Sequence, residues 1–338
     1  MWRMPAEWEP HERTWMAWPS SGYALGDNEA AAHEARRAWA DVALAVASFE
    51  PVSLVVTSEA ASIARAYLDR RTPHHITLVE AELDDAWMRD IGPTFVTDGQ
   101  QLAGVDWIFN GWGAQSWAQW DRDSLIASKV CTAIGVDSIT SDLVNEGGGI
   151  HTDGSGTFLL TETVQLDIGR NPGWSVDQIE AELRRTLGAT RFIWLPRGLT
   201  RDYEEFGTRG HVDIVASFTP TGTVLLHDQR EPEHPDHQVS TTIRQVLESN
   251  GLEVIGLPAP TVLRDDEGWV DFSYINHYLV NDGVILCTFD DPNDEIAADI
   301  LQQVYPDRQI IGVDARPLFA RGGGIHCITQ QQPVVSKP

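Results

Sequence analysis

Helix-like and strand-like stretches alternate along the whole chain, which predicts an α/β fold. Two further observations predict that it is built from repeated units. The word Gly-Gly-Gly-Ile-His occurs twice, at Gly147–His151 and Gly322–His326. The last four helix candidates start roughly every 50 to 65 residues, with two or three short apolar strands between them. A doubly wound sheet is compatible with the same alternation. Against a dinucleotide fold, no G-x-G-x-x-G joins a strand to a helix, and no G-x-x-x-x-G-K-[ST] phosphate loop occurs.

The elements follow in order. Asn28 to Phe49 is rich in Ala, Glu and Arg with apolar positions at helical spacing, Val52 to Val56 reads as a buried strand, and Ser58 to Leu68 as a helix. Asp121 to Ile134 is a helix candidate. Ser175 with Gln178 forms a capping box that opens a helix to about Leu187. Helices over Val239–Leu247 and Glu295–Val304 complete the series. Strands are expected at Phe158–Leu160, Phe192–Leu195, Val212–Phe218, Val224–Leu226, Val254–Leu257, Val284–Phe289 and Ile310–Val313. No Ser/Gly or Pro linker divides residues 1–338, so one domain is expected.

Fifty acidic residues against 24 basic ones give a formal net charge of −26. Lysine stands only at Lys129 and Lys337. No basic run suits nucleic acid or anionic lipid, and the field favours a small cationic partner. Cys131, Cys287 and Cys327 are odd in number and scattered, which fits neither a disulfide framework nor zinc-ligand spacing. With no signal segment and no long apolar run, a soluble protein of the cytoplasm is expected, with no membrane partner. A homodimer stays open.

Only the second Gly-Gly-Gly-Ile-His runs into a thiol, Cys327. Glycines permit close backbone approach, so a duplicated scaffold with a nucleophile in one copy is the functional reading. A buried structural cysteine is the plain one. Four other segments stand out: Asp84-Asp85-Ala86-Trp87-Met88-Arg89-Asp90, Asn145-Glu146 before the first glycine word, Asn110-Gly111-Trp112-Gly113, and Gly210-His211-Val212-Asp213. In a strand, His211 and Asp213 would share one face. Each residue alone has an ordinary structural use: Asp90 as a turn cap, His211 as a core imidazole, the tryptophans as packing. The pair His234 and His237 around Pro235 reads as a polar loop rather than a metal site, because no third ligand accompanies it.

Together the set suits attack on a guanidinium carbon. Carboxylates match the planar cation with paired, charge-assisted hydrogen bonds. A thiolate suits the carbon, and a histidine can move protons to ammonia and from water. No metal or cofactor is needed.

These residues carry a family resemblance. The sequence resembles the bacterial and plant agmatine deiminases, in the peptidylarginine-deiminase-like branch of the guanidine-modifying (pentein) superfamily. The likeness runs from Arg3-Met4-Pro5-Ala6-Glu7-Trp8 through Trp87-Met88-Arg89-Asp90-Ile91-Gly92-Pro93, Asn145-Glu146-Gly147-Gly148-Gly149, Arg170-Asn171-Pro172 and Gly210-His211-Val212-Asp213 to Gly322–Pro333. It implies a five-bladed α/β propeller of pseudo-repeated ββαβ units around a central channel. It also implies Cys327 as nucleophile, His211 as general acid and base, Asp90 and Asp213 as guanidinium holders, and Glu146 turned towards the site. Trp87 and Trp112 would line the pocket, with Asp84 beside them. The expected reaction is agmatine to N-carbamoylputrescine and ammonia, without a cofactor.

One departure concerns the substrate tail. The family usually has Asp or Asn before Gly-His-Val/Ile-Asp and Asn after it; here Arg209 and Ile214 stand there. An Arg209 at the pocket mouth would favour a carboxylate-bearing guanidine such as arginine. An Arg209 that points to solvent, or pairs with Glu204 or Glu205, would leave agmatine as the substrate. An amidinotransferase and a non-catalytic binding protein on the same fold are the remaining alternatives.

Overall fold

The structure is a computed structural model that describes residues 1–335. A mixed α/β fold is built on one local pattern used repeatedly. A short helical turn leads into a strand, the next strand pairs with it antiparallel, and a helical crossover returns the chain to a third strand parallel to the second. Thr94–Thr97, Leu102–Ile108 and Asp137–Val144 make one such sheet. Ile150–Thr152, Thr157–Thr161 and Arg191–Leu195 make the next. Ala216–Phe218, Val224–Asp228 and Val254–Pro258 follow, then Tyr278–Val280, Gly283–Thr288 and Gln309–Asp314. The last sheet is assembled from both ends of the chain. Thr329–Pro333 pairs antiparallel with His11–Ala17, which runs parallel to Val52–Val56, and Ile76–Glu80 adds an outer strand.

The crossovers are helical because their sequences bury one stripe each. In Val176–Leu187, Ile179, Leu183 and Leu187 are buried while the other face is charged. Burying each of these side chains contributes about 1.5–3 kcal/mol. The expected capping box is present: the Ser175 hydroxyl accepts from the Gln178 N–H, and the Gln178 side chain accepts from the Ser175 N–H. Gly188, at φ 70°, ends the helix in the left-handed conformation. The helices Glu29–Val46, Ile126–Ile134, Pro235–Ser249 and Asn293–Val304 lie where helical spacing put them.

Three expectations are corrected. The run from Val212 is not one strand: Val212–Ile214 is a 3-10 turn and the strand is only Ala216–Phe218. Val212, Ile214 and Val215 are all buried, so the apolar pattern crosses the break without a mark. His234-Pro235-Asp236-His237 is not a loop. Pro235 opens a helix, where its missing N–H costs nothing, and His234 Nδ1 accepts from the Asp236 N–H at 3.2 Å.

The two glycine words, finally, are not structurally equivalent. Gly147–Gly149 form the helical turn themselves and Ile150 starts the strand. In the second copy the glycines precede the turn, which is His326–Ile328, and the strand starts at Thr329. In strand phase, Cys327 therefore matches Gly148. Among the described residues, no helix is long and apolar enough to cross a membrane.

Candidate active site

The helical turns that precede the first strands hold most of the chemistry-bearing residues. Met88–Ile91 carries Asp90, Gly147–Gly149 follows Glu146, Val212–Ile214 carries Asp213 after His211, Tyr274–Asn276 carries Asn276, and His326–Ile328 carries Cys327. All these side chains are buried.

His211 Nε2 lies 3.3 Å from Glu146 Oε2, and its Nδ1 lies 3.9 Å from Asp90 Oδ2. Cys327 Sγ lies 3.7 Å from Asp213 Oδ2. Gly148 donates its N–H to Asp90 Oδ1 at 3.1 Å. A Cβ on Gly148 would collide with His211 Nδ1 and come within 3.1 Å of Asp213 Oδ2, so glycine is required there. The expected five residues thus form one cluster around this glycine turn.

Their charge states differ with their neighbours. Burial raises the Asp90 carboxyl, Glu146 and Asp213 add repulsion, and His211 and the Trp112 N–H only partly oppose this; the result is about 6. Burial alone would lower the His211 imidazole, but Asp90, Glu146 and Asp213 outweigh it and hold it at about 9. Burial would raise Asp213 too, yet the His326 hydrogen bond and charge keep it below the ordinary carboxylate range. His326 Nδ1 lies 2.8 Å from Asp213 Oδ2 and its Nε2 2.8 Å from Glu7 Oε2. Burial pushes the Cys327 thiol well above its usual value, and the charges of Asp213 and Asp90 push the same way.

Several supporting residues have roles that only the folded structure shows. Arg170 Nε donates to Glu146 Oε1 at 3.0 Å, and its two terminal nitrogens reach Asp167 and the Thr208 carbonyl. Both members of the Arg170–Glu146 pair are fully buried, and removing one partner of such a pair costs about 3–5 kcal/mol. The Asp202 carboxylate accepts backbone N–H bonds from Thr208, Gly210 and His211, which fixes the loop that carries His211.

Trp112 sits at the boundary between the buried cluster and the surface. Its indole N–H donates to Asp90 Oδ2 at 2.9 Å. The segment Gly111–Ala114 is a turn with positive φ throughout, 68°, 56°, 91° and 57°, held by the Asn110 side chain on the Gly113 N–H. Left-handed backbone costs about 1–2 kcal/mol at each non-glycine residue, here Trp112 and Ala114. On its outer side Trp112 stacks on Trp117, with ring centroids 5.3 Å apart. Together with Tyr23, Phe206, Asp27, Asp84 and Asp85 these rings line a cavity of about 590 Å³. Phe206 stacks on Tyr23 at 3.7 Å.

Asp84 accepts the Arg122 N–H at 2.7 Å, and burial pushes Asp85 up to about 7. Trp87 is buried against Trp39, and a Cβ on Gly323 would meet Trp87 and the Cys327 Sγ. Arg209 is exposed at φ 70°, does not line the cavity, and has no ion-pair partner among the described residues, neither Glu204 nor Glu205.

A family model for Porphyromonas-type peptidyl-arginine deiminase matches residues 3–333. The chain belongs to this family. Among its relatives in the peptidyl-arginine deiminase family, a Streptomyces coelicolor protein provisionally named agmatine deiminase is 58% identical over 98% of each chain. The agmatine deiminase of Ectopseudomonas mendocina is 40% identical, over 98% of this chain and 95% of its own. A solved structure of the Enterococcus faecalis agmatine deiminase superposes with a TM-score of 0.89 at 34% identity, covering 99% of this chain and 96% of the other.

Proposed function

We propose that the protein hydrolyses agmatine to N-carbamoylputrescine and ammonia through a covalent intermediate on Cys327. Family membership carries the reaction class. The observation that carries the substrate is the cavity beside Trp112: aromatic rings and the carboxyl groups of Asp27, Asp84 and Asp85 line it, and no basic side chain does so among the described residues. Such a lining suits the primary ammonium of agmatine through carboxylates and aromatic faces, and disfavours the α-carboxylate of arginine.

In this reading Asp90 and Asp213 grip the guanidinium plane, with Trp87 and Trp112 beside it. The arriving cation offsets the two negative charges that push the Cys327 thiol up, so the thiol gives its proton to solvent and the thiolate forms with substrate in place; Asp213 Oδ2 is the nearest carboxylate to the sulfur. The sulfur attacks the central carbon. His211, held as imidazolium by its carboxylates, gives a proton to the departing nitrogen, and ammonia leaves an S-alkylthiouronium. The neutral imidazole then takes a proton from water, water oxygen bonds to the carbon, the C–S bond breaks, and the remaining hydroxyl proton passes to the sulfur, which restores the thiol and releases the ureido product. Glu146, fixed by Arg170, orients the imidazole. The repeated sheets support a further reading of the chain as one domain, a five-bladed α/β propeller with the helical turns facing its channel.

The test is a panel of guanidines followed by mass spectrometry. Ammonia and N-carbamoylputrescine from agmatine, with no citrulline from arginine, are expected. Turnover of arginine in preference to agmatine would overturn the substrate, and no turnover of either would favour a binding protein.

A further inference from the structure

The Cys327 sulfur has one side-chain neighbour whose part in the chemistry is so far unassigned. Asn276 Nδ2 lies 3.4 Å from Sγ and 3.3 Å from the Asp213 carbonyl oxygen, and Asn276 Oδ1 lies 3.0 Å from the His326 backbone N. The two backbone partners settle which end of the amide is which. A peptide carbonyl only accepts and a peptide N–H only donates, so the NH2 group must face Asp213 and the oxygen must face His326. One amide hydrogen goes to the Asp213 carbonyl and the second is left for the sulfur, while Asn276 Oδ1, 3.6 Å from Sγ, accepts from the sulfur only when it is a protonated thiol. Asn276 is fully buried, at the end of its own helical turn. Gly324 makes the approach possible, since a Cβ there would collide with Asn276 Oδ1.

We propose that Asn276 is a catalytic residue that donates a hydrogen bond to the Cys327 thiolate and holds the sulfur in its attacking position. Asp213 and Asp90 both disfavour negative charge on this sulfur, so a fixed donor stabilises the anion that those carboxylates would otherwise suppress. The two N–H bonds of the amide together tether the turn carrying Asp213 to the turn carrying the nucleophile. The proposal rests on Cys327 being the nucleophile, not on agmatine being the substrate.

The test follows thiolate reactivity without turnover. Alkylation of Cys327 by iodoacetamide is measured against pH in the full chain, with the modified peptide quantified by mass spectrometry. In Asn276→Ala, alkylation at a fixed pH should fall roughly ten- to hundredfold, the typical effect of losing a hydrogen bond to a charged group, and its pH midpoint should rise. The kcat for agmatine should fall with it while KM stays within a few-fold. Asn276→Asp keeps the acceptor for the His326 N–H but turns an anionic oxygen towards sulfur, so the loss should be larger. It also serves as the reading should Asn276→Ala not fold. Wild-type alkylation rate and pH midpoint in either folded variant would overturn the proposal, even if kcat falls. Failure of the wild-type protein to turn over agmatine, with alkylation still altered in the variants, would instead count against the substrate alone.

Discussion

In the first Gly-Gly-Gly-Ile-His segment the glycines are the helical turn, and Gly148 gives its N–H to Asp90. In the second the glycines stand ahead of the turn, His326 opens it, and Cys327 occupies the place that Gly148 holds in the first. His151 of the first word lies in a strand, where burial lowers its imidazole to about 4. His326 of the second lies between Glu7 and Asp213, which raise it against burial and the Arg89 charge. The same word therefore supplies, in one phase, a turn without side chains that lets His211 and Asp213 close in. In the other phase it supplies a thiol and a cation. A repeat in sequence need not be a repeat in structural register, and here the slip separates the two jobs.

The largest effect should come from the thiol. Cys327→Ser should lower kcat by roughly 10⁴-fold or more, as for other covalent nucleophiles, with agmatine binding retained in a calorimetric titration. Residual turnover within tenfold of wild type would mean that the second copy is not the nucleophilic one.

Gly148→Ala probes the first copy. Its methyl would strike His211 Nδ1 and crowd Asp213, and a displacement of about 1 Å in an active site can cost roughly 100-fold. The expected result is that loss in kcat/KM, with an unfolding temperature near that of wild type. A variant with full activity would show that the clearance around Gly148 is not needed.

The pH profile separates Asp90 from Asp213. Asp90 sits at about 6, so kcat/KM for agmatine should rise about tenfold per pH unit below 6, as the guanidinium holder ionises. His211 sits at about 9, so activity should fall again above 9, as the proton donor is lost. Asp213 is held below the ordinary range by His326 and stays ionised throughout. Replacing His326 by Gln should raise the Asp213 carboxyl and move the acid limb upwards. An unmoved limb would show that Asp213 does not depend on the imidazolium.

Arg209→Asp should have the smallest effect. Its side chain is exposed and off the cavity wall, and surface substitutions of this kind usually stay within about 0.5 kcal/mol. The agmatine-to-arginine ratio of kcat/KM should stay flat. A shift of tenfold or more would bring Arg209 back to the substrate tail.

Much of the fold was legible because helix signals are local. Ser175, Gln178 and the stripe of Ile179, Leu183 and Leu187 all lie in one stretch. The site residues Asp90, Glu146, His211, Asp213 and Cys327 stood out through their glycine-rich surroundings, and the structure brings them together. What stayed hidden depends on long-range pairing. Glu7 reaches His326 from near the N-terminus, Arg170 reaches Glu146 from a separate loop, and Asn276 sits in Ser273-Tyr274-Ile275-Asn276 with no local hint of a sulfur beside it. Tyr23 and Phe206 meet only in the folded cavity. Arg209 drew attention as a departure in sequence, yet its φ of 70° belongs to a loop whose important contact is Asp202 with the His211 backbone.

The central claim is a covalent bond between Cys327 and the guanidine carbon. The most direct measurement is acid quenching during agmatine turnover, followed by intact-protein and peptide mass spectrometry. An adduct with the mass of agmatine less ammonia is expected on the peptide that contains Cys327, and on neither Cys131 nor Cys287. Steady turnover with no adduct at any quench time, or an adduct on another residue, would contradict the account.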